Sequence, residues 1–287
     1  MSSITTTHAY VRGEFSPWHQ AYLHISDLAI QRGYGVFDFF RVEAGQPLFL
    51  QPHLDRFFRS AELLELAVPL TRPELVAAIH ELIRRNDLPR SGVKVLLTGG
   101  YSSGGFEPAG EASLIITQQP IELPTPEQLA RGIRIISHEH GRELPEAKSI
   151  NYVTGIRLLK ELKTRGADDV LYHQHGLVTE FPRANFFIVR ADDTVVTPAA
   201  NVLAGITRQN VLRLDGLPYR VETGPVRLED VRAAKEAFLA STTKRLMPVV
   251  QLDDHPIGQG TPGAVTRALL ARLLELEKSS AGPSIVG

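Results

Sequence analysis

The chain reads as a mixed α+β protein of two domains. Three observations predict this. Segments with helical and strand periodicity mix without strict βαβ alternation, which argues against a doubly wound parallel sheet. No G-x-G-x-x-G fingerprint follows a strand and opens a helix. A proline-rich stretch, QQPIELPTPEQL at 118–129, sits between two strand-like runs. Proline fixes φ and removes a donor, so this stretch reads as a linker. The expected division is a smaller N-terminal α/β domain over 1–118, a linker over 119–129, and a larger domain over 130–287, all ordinary sizes for a 287-residue chain.

In the first domain, residues 21–42 carry short apolar runs punctuated by Gly33 and Gly35. A strand over 37–41 places Phe37, Phe39 and Arg41 on one face. PLFL at 47–50 reads as a strand. In HLDRFFRSAELLEL, residues Leu54, Phe57, Phe58, Ala61 and Leu64 form one helical stripe. Thr71 followed by Glu74 is a capping-box pattern opening a second helix. VKVLL at 93–97 and ASLIIT at 112–117 read as strands around the Gly-rich loop GGYSSGGFEPAG.

The second domain opens on the strand IRIISH. Residues 149–164 read as one helix ending near Gly166. DVLYH, GLVTE, ANFFIV and TVVTP form a β-rich cluster. A helix from 206, a strand near YRVET, a short helix near 227–236, the strand AFLAS and a final helix from 263 follow.

Composition narrows the function classes. With 43% hydrophobic and 22% charged residues the chain has an ordinary globular make-up. Lys+Arg is 31 against Asp+Glu 32, so the basic excess of a nucleic-acid binder is missing. No apolar run reaches the ~20 residues of a membrane span, and the N-terminus lacks a signal-peptide pattern. With no cysteine, disulfides, a catalytic thiol, an Fe–S cluster and Cys-ligated zinc are excluded. A cytoplasmic protein whose partners are small molecules or copies of itself is expected.

Several residues are candidates for chemistry. Lys148, in PEAKSINY, stands near the domain boundary and at a helix start. A lysine in a cleft loses basicity on burial, and its amine can add to a carbonyl; the alternative is a surface lysine. Glu180, in VTEFPRAN, ends a strand and can face a protonated ring nitrogen, or pair locally at the turn of Pro182 and Arg183. Gly205 precedes a helix starting at Ile206 and Thr207, where backbone N–H groups suit an anion, or simply start a helix. Ser241, Thr242 and Thr243 follow a strand and repeat that arrangement. Arg56, beside Phe57 and Phe58, suits a bidentate anion contact or a snorkelling surface role. His138 and His140, and His173 and His175, alternate along strands, but no carboxylate cluster completes a metal set, so no metal is expected.

Taken in order, QRGYGVFDFFRV, PLFLQPHLDRFFRSAELL, AKSINY, GLVTEFPRANFFIV, VLAGITRQNV and FLASTTKRLMPV resemble the class IV (fold type IV) pyridoxal-phosphate enzymes. These include branched-chain aminotransferases, D-amino-acid aminotransferases and aminodeoxychorismate lyases. The segments run from about residue 30 to about residue 250.

The resemblance implies two α/β domains with pyridoxal 5'-phosphate at their interface. It implies Lys148 as the Schiff-base lysine and Glu180 as the acid at the pyridine nitrogen. Arg56, Ile206, Thr207 and Thr242 match the groups around the cofactor phosphate. Tyr152 stands near the position of a tyrosine that contacts the phenolic oxygen, one residue closer to the lysine than in the branched-chain group. The implied activity moves an amino group from a small or aliphatic amino acid, a branched-chain L- or D-amino acid, to a 2-oxo acid by a ping-pong mechanism. The other implied reading is a lyase releasing pyruvate from aminodeoxychorismate. Family members are usually homodimers, and the segment near Arg32 looks like the loop that reaches the partner.

A carboxylate substrate needs cations. Arg41 matches the arginine of the branched-chain FE-x-x-R pattern, or pairs with Asp38 or Glu43. Arg32 and Lys94 are further cations, with Phe37 and Thr243 beside the substrate. Gly104 and Phe106 stand where D-amino-acid enzymes carry an arginine and a histidine, a departure from the ordinary D-specific pattern.

Overall fold

A computed structural model describes residues 7–280. It falls into two units. One runs through Ile121 and takes in Ala147–Asn151; the other comprises Glu122–Glu146 and Tyr152–Ser279. The division falls inside the expected linker, but the segment carrying Lys148 belongs to the first unit, where the expected boundaries place it in the second.

The first unit contains β1 (His8–Val11), β2 (Glu14–Pro17), α1 (Leu28–Arg32), β3 (Gly35–Glu43), β4 (Gln46–Pro47), α2 (Leu50–Leu63), α3 (Arg72–Asn86), β5 (Arg90–Thr98) and β6 (Ser113–Pro120). Its strands form an antiparallel sheet in the order β2-β1-β6-β5-β3-β4. Alternation along β3 sends Val36, Phe40 and Val42 into a core with Leu54 and Phe57 of α2 and Leu75, Ile79 and Leu82 of α3. The expected stripe on α2 is therefore the face that covers the sheet. Thr71 and Glu74 form the reciprocal capping box that their spacing predicts. The strand expected over 47–50 is cut short: β4 ends at Pro47 and α2 begins at Leu50.

The second unit contains α4 (Pro126–Arg131), β7 (Ile133–Glu139), α5 (Val153–Arg157), α6 (Leu159–Arg165), β8 (Asp169–Gln174), β9 (Leu177–Val178), β10 (Asn185–Val189), β11 (Val195–Pro198), α7 (Ile206–Leu212), β12 (Val221–Gly224), α8 (Leu228–Ala233), β13 (Glu236–Ser241), β14 (Arg245–Leu252), β15 (His255–Pro256) and α9 (Ala264–Ser280). The sheet runs β12-β11-β10-β13-β14-β7-β8-β9, with β15 on β14. It mixes parallel and antiparallel pairs. Both units mix helices and sheets, as the sequence predicts.

Three local expectations are corrected. The proline-rich stretch is not all linker: β6 continues to Pro120, and Pro126 opens α4 behind a Thr125 cap, a position where proline's missing N–H costs nothing. The single helix over 149–164 is two short helices, α5 and α6, with Leu158 between them. Residues 242–244 form the turn between β13 and β14, so no helix follows Thr243.

Candidate active site

Lys148 does not start a helix. Its segment lies alongside the beginning of β3: Phe37 N–H donates to Lys148 C=O at 2.9 Å, Ile150 N–H donates to Gly35 C=O at 3.1 Å, and Ser149 bridges Val36. β5 holds the other edge of these β3 residues, so Lys148 stands on the edge away from β5. Gly35 fits between both neighbours: a Cβ there would lie 2.7 Å from Leu97 O of β5 and 3.3 Å from Ile150 Cδ1 of the lysine segment. The Lys148 backbone N–H donates to Ser60 Oγ of α2 at 3.0 Å. Two hydrogen bonds to β3 and one to α2 therefore fix the backbone from which the half-buried lysine projects.

The Lys148 Nζ lies 4.7 Å from the centroid of the Phe37 ring, and the Lys94 Nζ lies 5.6 Å from the same centroid. The negative face of an aromatic ring attracts cations, so one ring gathers two amines. Lys94 is exposed. Phe37, Lys94 and Lys148 are thus brought together. Arg41 shares the odd-numbered face of β3 with Phe37 but sits further along it, 2% exposed, with its guanidinium 3.5 Å from Glu43 Oε1. The expected pairing with Glu43 is observed. Arg32 ends α1, exposed, and donates to Gln31 C=O. Gly105 of the Gly-rich loop lies close to it, since a Cβ there would be 3.7 Å from Arg32 Nη2. Phe106 in that loop is 76% exposed.

Arg56 lies on the helix-covered side of β3. Its Nε and Nη2 donate to Asp38 at 2.8 and 2.9 Å. Asp38 Oδ1 also lies 2.7 Å from His53 Nδ1 and accepts from Phe39 N–H at 2.7 Å. Burial opposes Asp38's charge, but Arg56 and His53 together hold its carboxyl well below the usual carboxylate range. Burial lowers the His53 pKa against the pull of Asp38. A neutral His53 beside a carboxylate must carry its proton on Nδ1 and donate it.

In the second unit, Glu180 is 4% exposed and follows β9. Its Oε1 accepts from Arg142 Nη1 at 2.7 Å. Its Oε2 accepts from Asn185 Nδ2 at 3.1 Å and from Leu203 N–H at 3.0 Å. Asn185 also donates to Leu203 C=O at 2.9 Å. This ties the acid to the turn that leads into α7. Gly205 is required there, because a Cβ would fall 2.0 Å from Asn185 Oδ1. Gly205 caps α7 without a side-chain hydrogen bond. The N–H groups of Ile206, Thr207 and Arg208 open the helix, where no intrahelical acceptor exists for them. Arg208, 8% exposed, donates to Thr197 Oγ1 and Pro198 C=O and so fastens α7 to β11.

Tyr152 is the N-cap of α5 and is half-buried. Thr242 and Thr243 lie half-buried in the β13–β14 turn, where Lys244 N–H donates to Ser241 Oγ. His138 and His140 pack around Tyr172, with ring centroids 6.4 and 4.8 Å away. Among the described residues no group of three or more His, Cys, Asp or Glu can hold a metal ion.

Sequence reasoning missed Asp38 and His53 as partners of Arg56, and Arg142 and Asn185 as partners of Glu180. His53 and Arg56 are one helical turn apart, which is a usable signal. Arg142 and Glu180 are 38 positions apart, and only the tertiary fold pairs them.

The family model for amino-transferase class IV matches residues 35–252. The "putative branched-chain-amino-acid aminotransferase" of Methanocaldococcus jannaschii is 28% identical over 281 residues, covering 93% of this chain and 95% of that protein. A "D-alanine aminotransferase" of Staphylococcus haemolyticus is 28% identical over 271 residues, covering 92% and 95%. Among solved structures, a branched-chain amino acid aminotransferase from T.th. with pyridoxamine 5'-phosphate matches with a TM-score of 0.89 at 28% identity, over 98% of this chain and 97% of that one.

Proposed function

Since the chain belongs to the class IV aminotransferases, we propose that it is a pyridoxal-phosphate-dependent transaminase moving the amino group of a small or aliphatic amino acid to a 2-oxo acid. The observation that carries this reading is the placement of Lys148, whose amine lies 4.7 Å over the Phe37 ring on a backbone fixed to β3 and α2. The named relatives are transaminases, which favours amino transfer over the pyruvate-releasing lyase reading.

The residues fit pyridoxal 5'-phosphate by their chemistry. Glu180 is a buried carboxylate whose named partners are all donors, as a partner for a protonated ring nitrogen must be. The α7 start offers backbone N–H groups in a turn held tight by the contact of Gly205 with Asn185. Lys148 would hold the cofactor covalently. Glu180 would accept from its nitrogen, and Ile206, Thr207, Thr242 and Arg56 would hold its phosphate, with Tyr152 near the ring. When bound, the cofactor supplies an electron sink for the pair left at the substrate's Cα.

The chain's own groups do the rest. The Lys148 amine takes the Cα proton as general base and returns a proton as general acid. Charge and hydrogen bonds keep Glu180 an acceptor throughout. Phosphate binding fixes orientation through energy remote from the reacting bond. For the substrate carboxylate, Lys94 and Arg32 are the exposed cations, with the Phe37 ring within 5.6 Å of the Lys94 amine and 4.7 Å of the Lys148 amine. The burial of Arg41 and its pair with Glu43 favour a supporting role for it. Thr243, half-buried in the β13–β14 turn, would offer a hydroxyl on the substrate side.

A homodimer is part of the reading. Tyr22, Ile25, Ile30 and Phe106 of the first unit are 58–76% exposed, and Ser102 N–H donates to Ser26 C=O between their two segments. Large apolar side chains so grouped suit burial by a second copy. Among the described residues no helix is long and apolar enough to cross a membrane, and a cytoplasmic location suits a chain without cysteine.

Single-turnover reactions with a panel of L- and D-amino acids, followed by cofactor absorbance, test the activity. Conversion to the amine form with aliphatic donors is expected. Failure with every donor counts against transamination. Sedimentation velocity tests the dimer.

A further inference from the structure

Resting on the reading of Glu180 above, we propose that Arg142 is a positioning residue that keeps Glu180 an acceptor toward the cofactor's ring nitrogen. The argument is one of charge. Glu180 is 4% exposed, and an ionised carboxylate out of water needs compensation. Asn185 Nδ2 and Leu203 N–H, the donors on Oε2, are neutral. The cation whose hydrogen bond to the carboxylate is direct is Arg142, whose Nη1 reaches Oε1 at 2.7 Å; the buried guanidinium of Arg208 also acts on Glu180 electrostatically, while its own hydrogen bonds go to Thr197 and Pro198.

Arg142 is itself 17% exposed at its side chain and is steadied by the Pro145 carbonyl, which accepts from the same Nη1 at 3.0 Å. The guanidinium is thus aimed by its own loop. Glu180 is held from two sides: by a charge through Oε1, and through Oε2 by neutral donors that begin β10 and precede α7.

Removing the charge changes where one proton rests. A proton shared between a ring nitrogen and a carboxylate stays on nitrogen only while the carboxylate is the weaker base. A guanidinium bonded to the carboxylate lowers its basicity far more than that of the nitrogen beyond it. Without Arg142 the proton leaves the nitrogen for a Glu180 oxygen. The ring then has no positive charge, and its capacity to accept electrons falls. Asn185 and Leu203 preserve hydrogen bonding to Oε2 but cannot replace the charge.

The test uses the holoenzyme loaded with cofactor labelled with ¹⁵N at the ring nitrogen. Nitrogen NMR reads its protonation directly, beside single-turnover rates and thermal melting. The unsubstituted protein should show a protonated nitrogen. Arg142→Met should move the signal toward the unprotonated position and slow the half-reaction about 10- to 100-fold, the range for a lost charged hydrogen bond. Arg142→Gln, a smaller change in packing, should behave like Met because it lacks the charge. Arg142→Lys should restore both readouts. A protonated nitrogen in Met and Gln variants, with rates within about twofold of the parent, would overturn the proposal and leave Arg142 a structural ion-pair partner. An unprotonated nitrogen in the unsubstituted protein would instead overturn the role given to Glu180, and this inference with it.

Discussion

Asp38 on β3 receives Arg56 of α2 through two parallel hydrogen bonds, Nε to Oδ2 at 2.8 Å and Nη2 to Oδ1 at 2.9 Å. The forked geometry fixes the plane of the guanidinium as well as its position. Both side chains are shielded, Asp38 at 1% and Arg56 at 9% exposure. Asp38→Asn should therefore act twice. Leaving Arg56 without its counter-charge in a dry site should cost about 3–5 kcal/mol of stability, read by urea unfolding of the apoprotein. The loosened guanidinium should also weaken cofactor retention, read by the rate of cofactor loss on dilution. Unchanged retention despite lower stability would remove Arg56 from the phosphate site.

His53 gives a pH dependence of stability. Burial lowers its pKa in the folded protein, outweighing the pull of Asp38. A histidine depressed on folding leaves stability intact above its unfolded pKa, about 6.5. As pH falls below that value the unfolded chain takes a proton that the folded one refuses, so stability declines. Asp38 acts below this window, because its carboxyl is depressed on folding and its contribution is lost only as pH falls below its unfolded pKa, about 3.9. Melting temperature should fall between pH 7 and pH 5, and fall less steeply in His53→Gln. Parallel slopes in the two proteins would assign the effect to other groups.

Lys148 and Glu180, the residues proposed above to hold the cofactor, are singled out in the sequence because each sits in a short motif, AKSINY and VTEFPRAN, in a recognisable order along the chain. The core of the first unit was legible too, since Leu54, Phe57 and Ala61 repeat at helical spacing and Thr71 and Glu74 announce their cap. What escaped was long-range. The edge pairing that keeps 148–150 extended overrides a local helical pattern, and its partner, Gly35, lies more than a hundred residues away. Asp38, buried among apolar neighbours on β3, gives no local sign that its partners are on α2. The hairpin at 241–245 carries the same Ser and Thr residues as a helix cap, so side-chain chemistry alone did not separate the two.

Replacing Lys148 with Ala should abolish borohydride fixation of the cofactor and slow the half-reaction by about 10²- to 10⁴-fold, the usual contribution of a positioned general base. The backbone bonds to Phe37 and Ser60 do not depend on the side chain, so melting of the apoprotein should move little. Peptide mapping after borohydride treatment of the unsubstituted protein checks the assignment from the other direction. A label on any lysine other than Lys148 would defeat it.

Gly205 offers a test of how rigidly the acid must be held. Its φ of −64° is open to any residue, so alanine brings no backbone strain there. The conflict is steric: the added methyl would stand 2.0 Å from Asn185 Oδ1, and Asn185 is the residue that links Glu180 to the Leu203 carbonyl. Either the turn before α7 shifts or Asn185 leaves Glu180. Overpacking of this kind should cost about 1–3 kcal/mol. If the turn shifts, the N–H groups of Ile206 and Thr207 move with it and cofactor retention should fall, while Arg142 still holds Glu180 Oε1. If Asn185 yields instead, retention should survive and the half-reaction should slow. Measuring both in Gly205→Ala, with Asn185→Ala as the companion, distinguishes the two. Parental values of both in Gly205→Ala would mean that the close approach at this turn has no bearing on the chemistry.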